Sequence, residues 1–313
     1  MNFQQLRSVR EAIQRNFNLT EVAEALFTSQ PGVSRQIREL EDELGVAIFE
    51  RRGKRLTGLT EPGKEIARII ERLLGEQDNL RCAGEEFANQ TTGRLTIATT
   101  HTQARYALPP VIRGFRKRYP QVRLHLQQSA PDQIARSVLE GKADLGIATE
   151  ALEGHPELVA FPSYPWNHIV VVPAQHPLLQ AKVLTLPLLA KHPLITYEAG
   201  FTGRPHIDEA FAKQLIEPEI VLTAMDADVI KTYVADGLGV GIIASMAFEP
   251  EQDKALRALE AKHLFPSNMT RLAMRRGAYL RGFAYAFIEL FAPQLTRAAI
   301  DKAMQGEPED YAI

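Results

Sequence analysis

Apolar residues recur at helical spacing three times before residue 45, at Phe3, Leu6, Val9 and Ile13, at Val22, Ala23 and Leu26, and at Val33, Ile37, Leu40 and Leu44. These patterns predict three short helices. Asn18 stands where a cap belongs, with Glu21 three residues on, and Ser29 repeats the signal ahead of Pro31, whose missing N–H costs nothing in a first turn. Phe27 and Thr28 fall between the second and third helices as a tight turn. A fourth pattern begins after the cap residue Thr60, with Pro62 in its first turn, and runs to about Phe87. Ile66, Ile69, Leu73, Leu80, Ala83 and Phe87 make a heptad-like seam there, broken by Glu76. So long a helix with one apolar seam needs a partner, and the same helix of a second copy suits it, with packing on the chain's own following domain as the alternative.

From Arg94 the period changes. Short apolar runs at 95–99, 122–127, 143–148, 169–172, 194–197, 220–222 and 239–243 predict strands. They alternate with helical patterns at 106–118, 132–140, 205–213, 228–236 and 280–291, and a last helix is expected at 294–303. This alternation is that of a doubly wound α/β fold. Seven strands in this length suit two lobes with a cleft between them, and open α/β sheets bind ligands beyond their strand C-termini.

Charge adds direction to the first three helices. The formal net charge is -2, and residues 1–65 hold ten Lys or Arg against ten Asp or Glu. Nucleic-acid affinity must therefore come from oriented patches. Gln30 sits at the tip of the third helix, and Pro31, Ser34, Arg35 and Arg38 lie on the face opposite its apolar stripe. Arg can read guanine, Gln can read adenine, and Ser can meet phosphate. Glu41, Asp42 and Glu43 fall at the far end of that helix. After an apolar strand at 46–49 come Arg51, Arg52, Lys54 and Arg55 around Gly53, a basic wing suited to phosphates. An amphipathic helix hairpin with a solvated basic face is the alternative reading of these residues.

Other chemistry is sparse. One cysteine, Cys82, excludes an internal disulfide and a thiolate-rich metal cluster, and the eight histidines are scattered. No G-x-S-x-G, H-E-x-x-H, P-loop or C-x-x-C occurs, and GLGVG at 237–241 lacks dinucleotide-fingerprint spacing, so no enzyme, metal or cofactor is expected. The N-terminus lacks the pattern of a signal peptide and no run of 18 apolar residues occurs, which predicts a cytoplasmic protein with no membrane partner.

With these parts in order, the chain resembles LysR-type transcriptional regulators over its length. The residues that carry this are AEALFTSQPGVSRQIRELEDELGVAIFERRGKRLTGLTEPG. Three further stretches resemble the CysB and Cbl branch, which regulates sulfur assimilation: TIATTHTQARYALP at 96–109, GFTGR at 200–204 and TAMDADVIKTYVADGLGVGIIASMA at 223–247. The resemblance implies an N-terminal all-α winged helix-turn-helix (1–59), a linker helix for dimerisation (60–89) and a hinge (90–93). An α/β two-lobed effector domain like a type 2 periplasmic binding protein would follow (94–300). Lobe I would span 94–163 and 268–300, lobe II 164–267, with a tail at 301–313.

It implies Gln30, Pro31, Ser34, Arg35, Arg38, Arg51, Arg52, Lys54 and Arg55 as DNA-contacting residues. It also implies Thr100, Thr102, Gln103, Thr149, Trp166 and Thr202 as effector-binding residues. The partners implied are promoter DNA, a small anionic or acetylated amino-acid effector such as sulfate, thiosulfate, acetylserine or adenylyl sulfate, RNA polymerase, and further copies in a homotetramer. Thr100, Thr102 and Gln103 follow a strand and open a helix, where free N–H groups favour an anion. No carboxylate lies between Arg94 and Arg118, as suits a ligand that needs only donors. Capping and strand-end roles are the alternative for these threonines. A regulator tuned to an unrelated organic acid, and a solute-binding module without a regulatory role, are the alternative functions.

Overall fold

A computed structural model describes residues 1–53, 55–89 and 91–306, so Lys54 of the wing, Gln90 of the hinge and residues 307–313 of the tail lie outside the described residues. Two compact units divide between Glu85 and Glu86.

The first unit is built from α1 (Phe3–Gln14), α2 (Leu19–Ala25), α3 (Gln30–Leu44), β1 (Phe49–Arg52), β2 (Arg55–Leu59) and most of α4 (Glu61–Ala88). The predicted caps form. Asn18 Oδ1 accepts from Thr20 N at 3.2 Å, Ser29 Oγ accepts from Gly32 N at 3.2 Å, and Thr60 Oγ1 accepts from Gly63 N at 2.9 Å. Phe27 takes a left-handed φ of 51°, which makes the α2–α3 turn abrupt. Leu6, Val9, Val22, Val33, Ile37 and Leu40 close one core with Ile48, Phe49 and Leu56. The wing differs from its expected form. Val46 is exposed, and the strand starts at Phe49, so Arg51, Arg52 and Arg55 are strand residues of an antiparallel pair.

The seam of α4 is also shifted. Ile70 and Leu74, which the heptad reading skipped, are buried in the core of the first unit with Ile66 packed beside them, whereas Ile69, Leu73, Leu80 and Phe87 are exposed. One stripe therefore anchors the helix and the expected stripe is left bare.

The second unit holds β3 (Gly93–Thr99), α5 (Leu108–Arg118), β4 (Val122–Gln128), α6 (Pro131–Leu139), β5 (Leu145–Ala148), β6 (Leu158–Trp166), β7 (His168–Pro173), α7 (Leu186–Leu189), β8 (Leu194–Tyr197), α8 (Arg204–Lys213), β9 (Ile220–Ala224), α9 (Ala227–Ala235), β10 (Val240–Ala244), β11 (Leu256–Glu260), β12 (Asn268–Arg275), α10 (Gly282–Phe291) and α11 (Arg297–Met304). Strand order is β4-β3-β5-β12-β6 in one sheet and β11-β7-β10-β8-β9 in the other. The chain crosses from the first lobe to the second at β6–β7 and returns between β11 and β12. Helices cover both faces of each sheet, with α5 and α10 on one side of the first lobe and α6 on the other. The helix expected at 106–118 begins two residues later, after a π-helical turn at Gln103–Ala107.

Candidate effector site and DNA-reading surface

β3 and β5 run parallel, so their C-terminal ends, Thr99 and Ala148, fall side by side at one edge of the first lobe. Thr100, Thr102 and Gln103 leave β3 there and are all buried, and Thr149 leaves β5 half-buried. Trp166 ends β6, buried, at the crossing into the second lobe. From that lobe the turn between β8 and α8 winds through left-handed backbone at Gly200, Thr202 and Gly203, with φ of 80°, 43° and 73°. Left-handed threonine is strained. Gly203 is required there, since a Cβ would stand 2.3 Å from Asn268 Oδ1 and 2.7 Å from His168 Cε1.

Three of the expected effector residues carry a buried polar atom with no hydrogen-bond partner: Thr102 Oγ1, Thr202 Oγ1 and Trp166 Nε1. Buried polar groups are normally paired, so a set of orphaned atoms on elements that meet at one cleft marks a place for a polar ligand. Gln103 differs. Its amide donates to Thr270 Oγ1 at 3.1 Å and accepts from Tyr164 Oη, which occupies the side chain. The two nearby cations are turned aside. Arg204 holds Asp208 at 2.7 Å and the Tyr197 carbonyl, and Arg105 reaches Gln252 and Asp228.

The cleft also holds groups that the sequence did not single out. Glu150 accepts a hydrogen bond from Gly203 N across the cleft, while its Oε2 is buried without a partner. Burial pushes its carboxyl up to about 7, opposed by backbone N–H bonds from Gly203, from Glu150 itself and from Thr202. His168 is fully buried, and burial lowers it to about 4. It is therefore neutral at pH 7, its Nε2 3.2 Å from the Thr202 carbonyl and its Nδ1 3.3 Å from Asn268 Nδ2. That pairing makes Nε2 the protonated nitrogen, a strut under the Thr202 turn.

On the other side of the cleft, Tyr106 Oη donates to Asp228 at 2.6 Å and accepts from Lys231 at 3.0 Å, which bridges the lobes. His101, Asp226 and Asp228 offer three ligand atoms within 4.8 Å of one another. Asp228 already faces Arg105 and Lys231, and Asp226 caps α9. The protein's own cations balance these charges, and the set is a poor cation site.

On the first unit, Gln30, Pro31, Arg35 and Arg38 are exposed along α3 and Ser34 is half-buried. Arg35 is paired with Glu39 at 2.7 Å, which lowers the Glu39 carboxyl. Gln30 and Arg55 line one opening of about 510 Å³ with Asn18 and Thr20, so recognition helix and wing share a polar recess. Arg52 and Arg55 are exposed. Arg51 is not free: its Nη2 is 2.5 Å from Glu41, a nearly buried carboxylate that also accepts from Ile48 N and Phe49 N at 2.9 and 3.1 Å. Glu41 therefore fixes the start of the wing from within and is not part of an acidic far end of α3.

Comparison with known proteins agrees with both units. Residues 3–64 match the bacterial regulatory helix-turn-helix protein, lysR family, and residues 88–296 match the LysR substrate binding domain. The HTH-type transcriptional regulator SsuR of Burkholderia cenocepacia is 58% identical over 300 residues, covering 96% of this chain and 97% of that protein. The regulator CysB of the same organism is 55% identical over 313 residues, covering all of both chains. Among solved structures, the cofactor-binding domain of the Cbl transcriptional regulator is 48% identical, with a TM-score of 0.67, covering 69% of this chain and 95% of that one. Among the described residues no helix is long and apolar enough to cross a membrane.

Proposed function

Since the chain belongs to the LysR family of transcriptional regulators, and within it to the branch of SsuR, CysB and Cbl, we propose that it controls sulfur-assimilation or sulfonate-use genes in response to a small sulfur-metabolism effector held between the two lobes of its second unit. The carrying observation is the set of three buried, unpartnered donors from separate elements, Thr102 Oγ1, Thr202 Oγ1 and Trp166 Nε1. A polar ligand that satisfies all three is bound by both lobes and favours the arrangement that brings them together. An effector acts only through such differential affinity for two states.

On DNA, Gln30, Ser34, Arg35 and Arg38 read base edges while Arg52, Lys54 and Arg55 meet backbone, with Pro31 opening the helix against the groove. One unit with balanced charge binds weakly, so pairs are needed. The bare stripe Ile69, Leu73 and Leu80 on α4 suits pairing with a second copy, and a dimer of dimers would place four reading heads. Recruitment of RNA polymerase and a cytoplasmic location follow from that role.

Purified protein is expected to hold sulfur-gene promoter fragments at least 1,000-fold more tightly than random DNA at matched salt, on the order of specific regulators generally. Equal affinity for the two in a mobility-shift titration would remove the specific-regulator reading. Thr102→Ala deletes one neutral donor and is expected to weaken sulfate or acetylserine binding by about tenfold in calorimetry, equivalent to about 1.4 kcal/mol. Unchanged affinity for both ligands would show that the effector lies elsewhere.

A further inference from the structure

The donors of the cleft suit an anion, yet a carboxylate stands among them. Glu150 follows Thr149 at the end of β5, and it spans to the second lobe by accepting the Gly203 N–H. One oxygen is thereby used. The other, Oε2, is buried and has no partner, like the hydroxyls and indole N–H that define the site. A buried acceptor without a donor costs free energy until something supplies one. We propose that Glu150 is the residue that selects the effector: its free oxygen accepts an N–H or O–H carried beside the effector's anionic group, and it opposes a bare oxyanion that has no donor to offer. This rests on the cleft being the effector site, as argued above.

The surrounding charges leave Glu150 to act alone. On its own loop Glu153 is tied to Arg271 of β12 at 2.6 Å, with His155 and Glu157 further along. From the second lobe, Arg204 is held by Asp208 and the Tyr197 carbonyl, His206 offers an Nδ1 without a partner, and His168 is neutral and engaged with Thr202 and Asn268. Among the described residues no cation pairs with the carboxylate. When ionised it repels a dianion, and when protonated it can donate to one. A group that titrates near 7 therefore makes dianion binding proton-linked, with tighter binding on the acid side.

Three small probes separate the effects by calorimetry on the full chain: sulfate, a dianion without donors; methanesulfonate, a monoanion without donors; and sulfamate, a monoanion of similar shape with N–H donors. Wild type is expected to bind sulfamate more tightly than methanesulfonate and to lose about tenfold in sulfate affinity between pH 6 and 8. In Glu150→Gln, the amide oxygen takes the Gly203 N–H and the NH₂ turns the free acceptor into a donor. Sulfate and methanesulfonate should then bind several-fold more tightly, sulfamate less tightly, and the pH dependence should flatten. Glu150→Ala, which removes the charge but adds no donor, should erase the sulfamate preference and flatten the pH dependence of sulfate binding without the gain in methanesulfonate affinity expected of Glu150→Gln.

Sulfate binding that is flat from pH 6 to 8 in wild type, together with an unchanged sulfamate-to-methanesulfonate ratio in either variant, overturns the proposal. If Thr102→Ala still weakens all three probes in that case, the cleft reading survives and only the role of Glu150 is lost. If wild type binds none of the probes, or Thr102→Ala weakens none, the cleft reading falls and the role of Glu150 with it.

Discussion

Gly63→Ala is expected to destabilise the DNA-reading unit strongly while sparing the effector unit. Gly63 lies in the first turn of α4, where that helix passes over the residue that leads into β1, and a Cβ placed on it would stand 2.0 Å from the Ile48 carbonyl oxygen and 2.9 Å from its carbon. Both atoms are backbone, so no side chain can swing away to relieve the clash. The corner is further fixed by Thr60, whose N–H donates to Ile48 O at 3.0 Å and whose hydroxyl donates to Ala47 O at 2.6 Å. Moving α4 outward would strip Ile70 and Leu74 from the core they close. Overpacking of this kind costs about 3 kcal/mol or more, a large part of the stability of a small domain. In a unit of this size that corresponds to a fall in melting temperature of about 10 °C or more. Two observations check it: loss of promoter binding in a mobility-shift assay, and a melt in which one transition moves down while ligand still shifts the other. A variant that keeps full DNA affinity and an unmoved melt would mean that α4 meets β1 differently.

Features set by neighbouring residues were legible in the sequence. Caps at Asn18, Ser29 and Thr60, the turn at Phe27 and the buried stripe of α3 at Val33, Ile37 and Leu40 all depend on local spacing and form where expected, whereas Leu44, expected in the same stripe, is exposed at the end of the helix. Most strands of the two lobes were legible for the same reason. β6 was not, because Pro162 and Pro165 argue against a strand; it is tolerated since β6 is an edge strand and proline withholds no bond from a ladder on its open side. β11 is likewise a short edge strand.

The seam of α4 was misread in part because a helix that serves two partners carries two stripes, and periodicity alone cannot say that Ile70 and Leu74 belong to the nearer core.

Charge was harder to read than shape. The absence of carboxylates between Arg94 and Arg118 suggested a donor-only site, but the carboxylate that enters the cleft is Glu150, bonded to a glycine 53 residues away. The same blindness to long-range pairing made Arg51 look like one more wing cation.

That last difference yields a prediction that separates structure from DNA contact within one basic run. Glu41 is 9% exposed and has all its bonds inside the protein: Ile48 N, Phe49 N and Arg51. Glu41→Ala strands two backbone N–H groups and an arginine at the start of the wing, with an expected loss of about 3–5 kcal/mol. Arg51→Ala is milder, about 2 kcal/mol, because the two backbone donors still satisfy the carboxylate and the Arg51 side chain is 28% exposed, so solvent screens part of the pair. Both should lower the melting temperature of the first unit.

Arg52→Ala should leave that temperature unchanged. Its side chain is exposed with no bond to another described residue, so its removal should instead lower the slope of log affinity against log salt by ~0.9, the signature of one lost phosphate contact. Binding isotherms at several salt concentrations, set beside melting curves for the same three variants, distinguish the roles. If Arg51→Ala lowers the salt slope by about one unit and leaves the melt in place, Arg51 is a phosphate contact and the Glu41 pair is dispensable. If instead it moves the melt and spares the slope, the wing of this regulator is held in reading position by an acid of its own recognition helix, and four consecutive-looking cations divide into one brace and the contacts it braces.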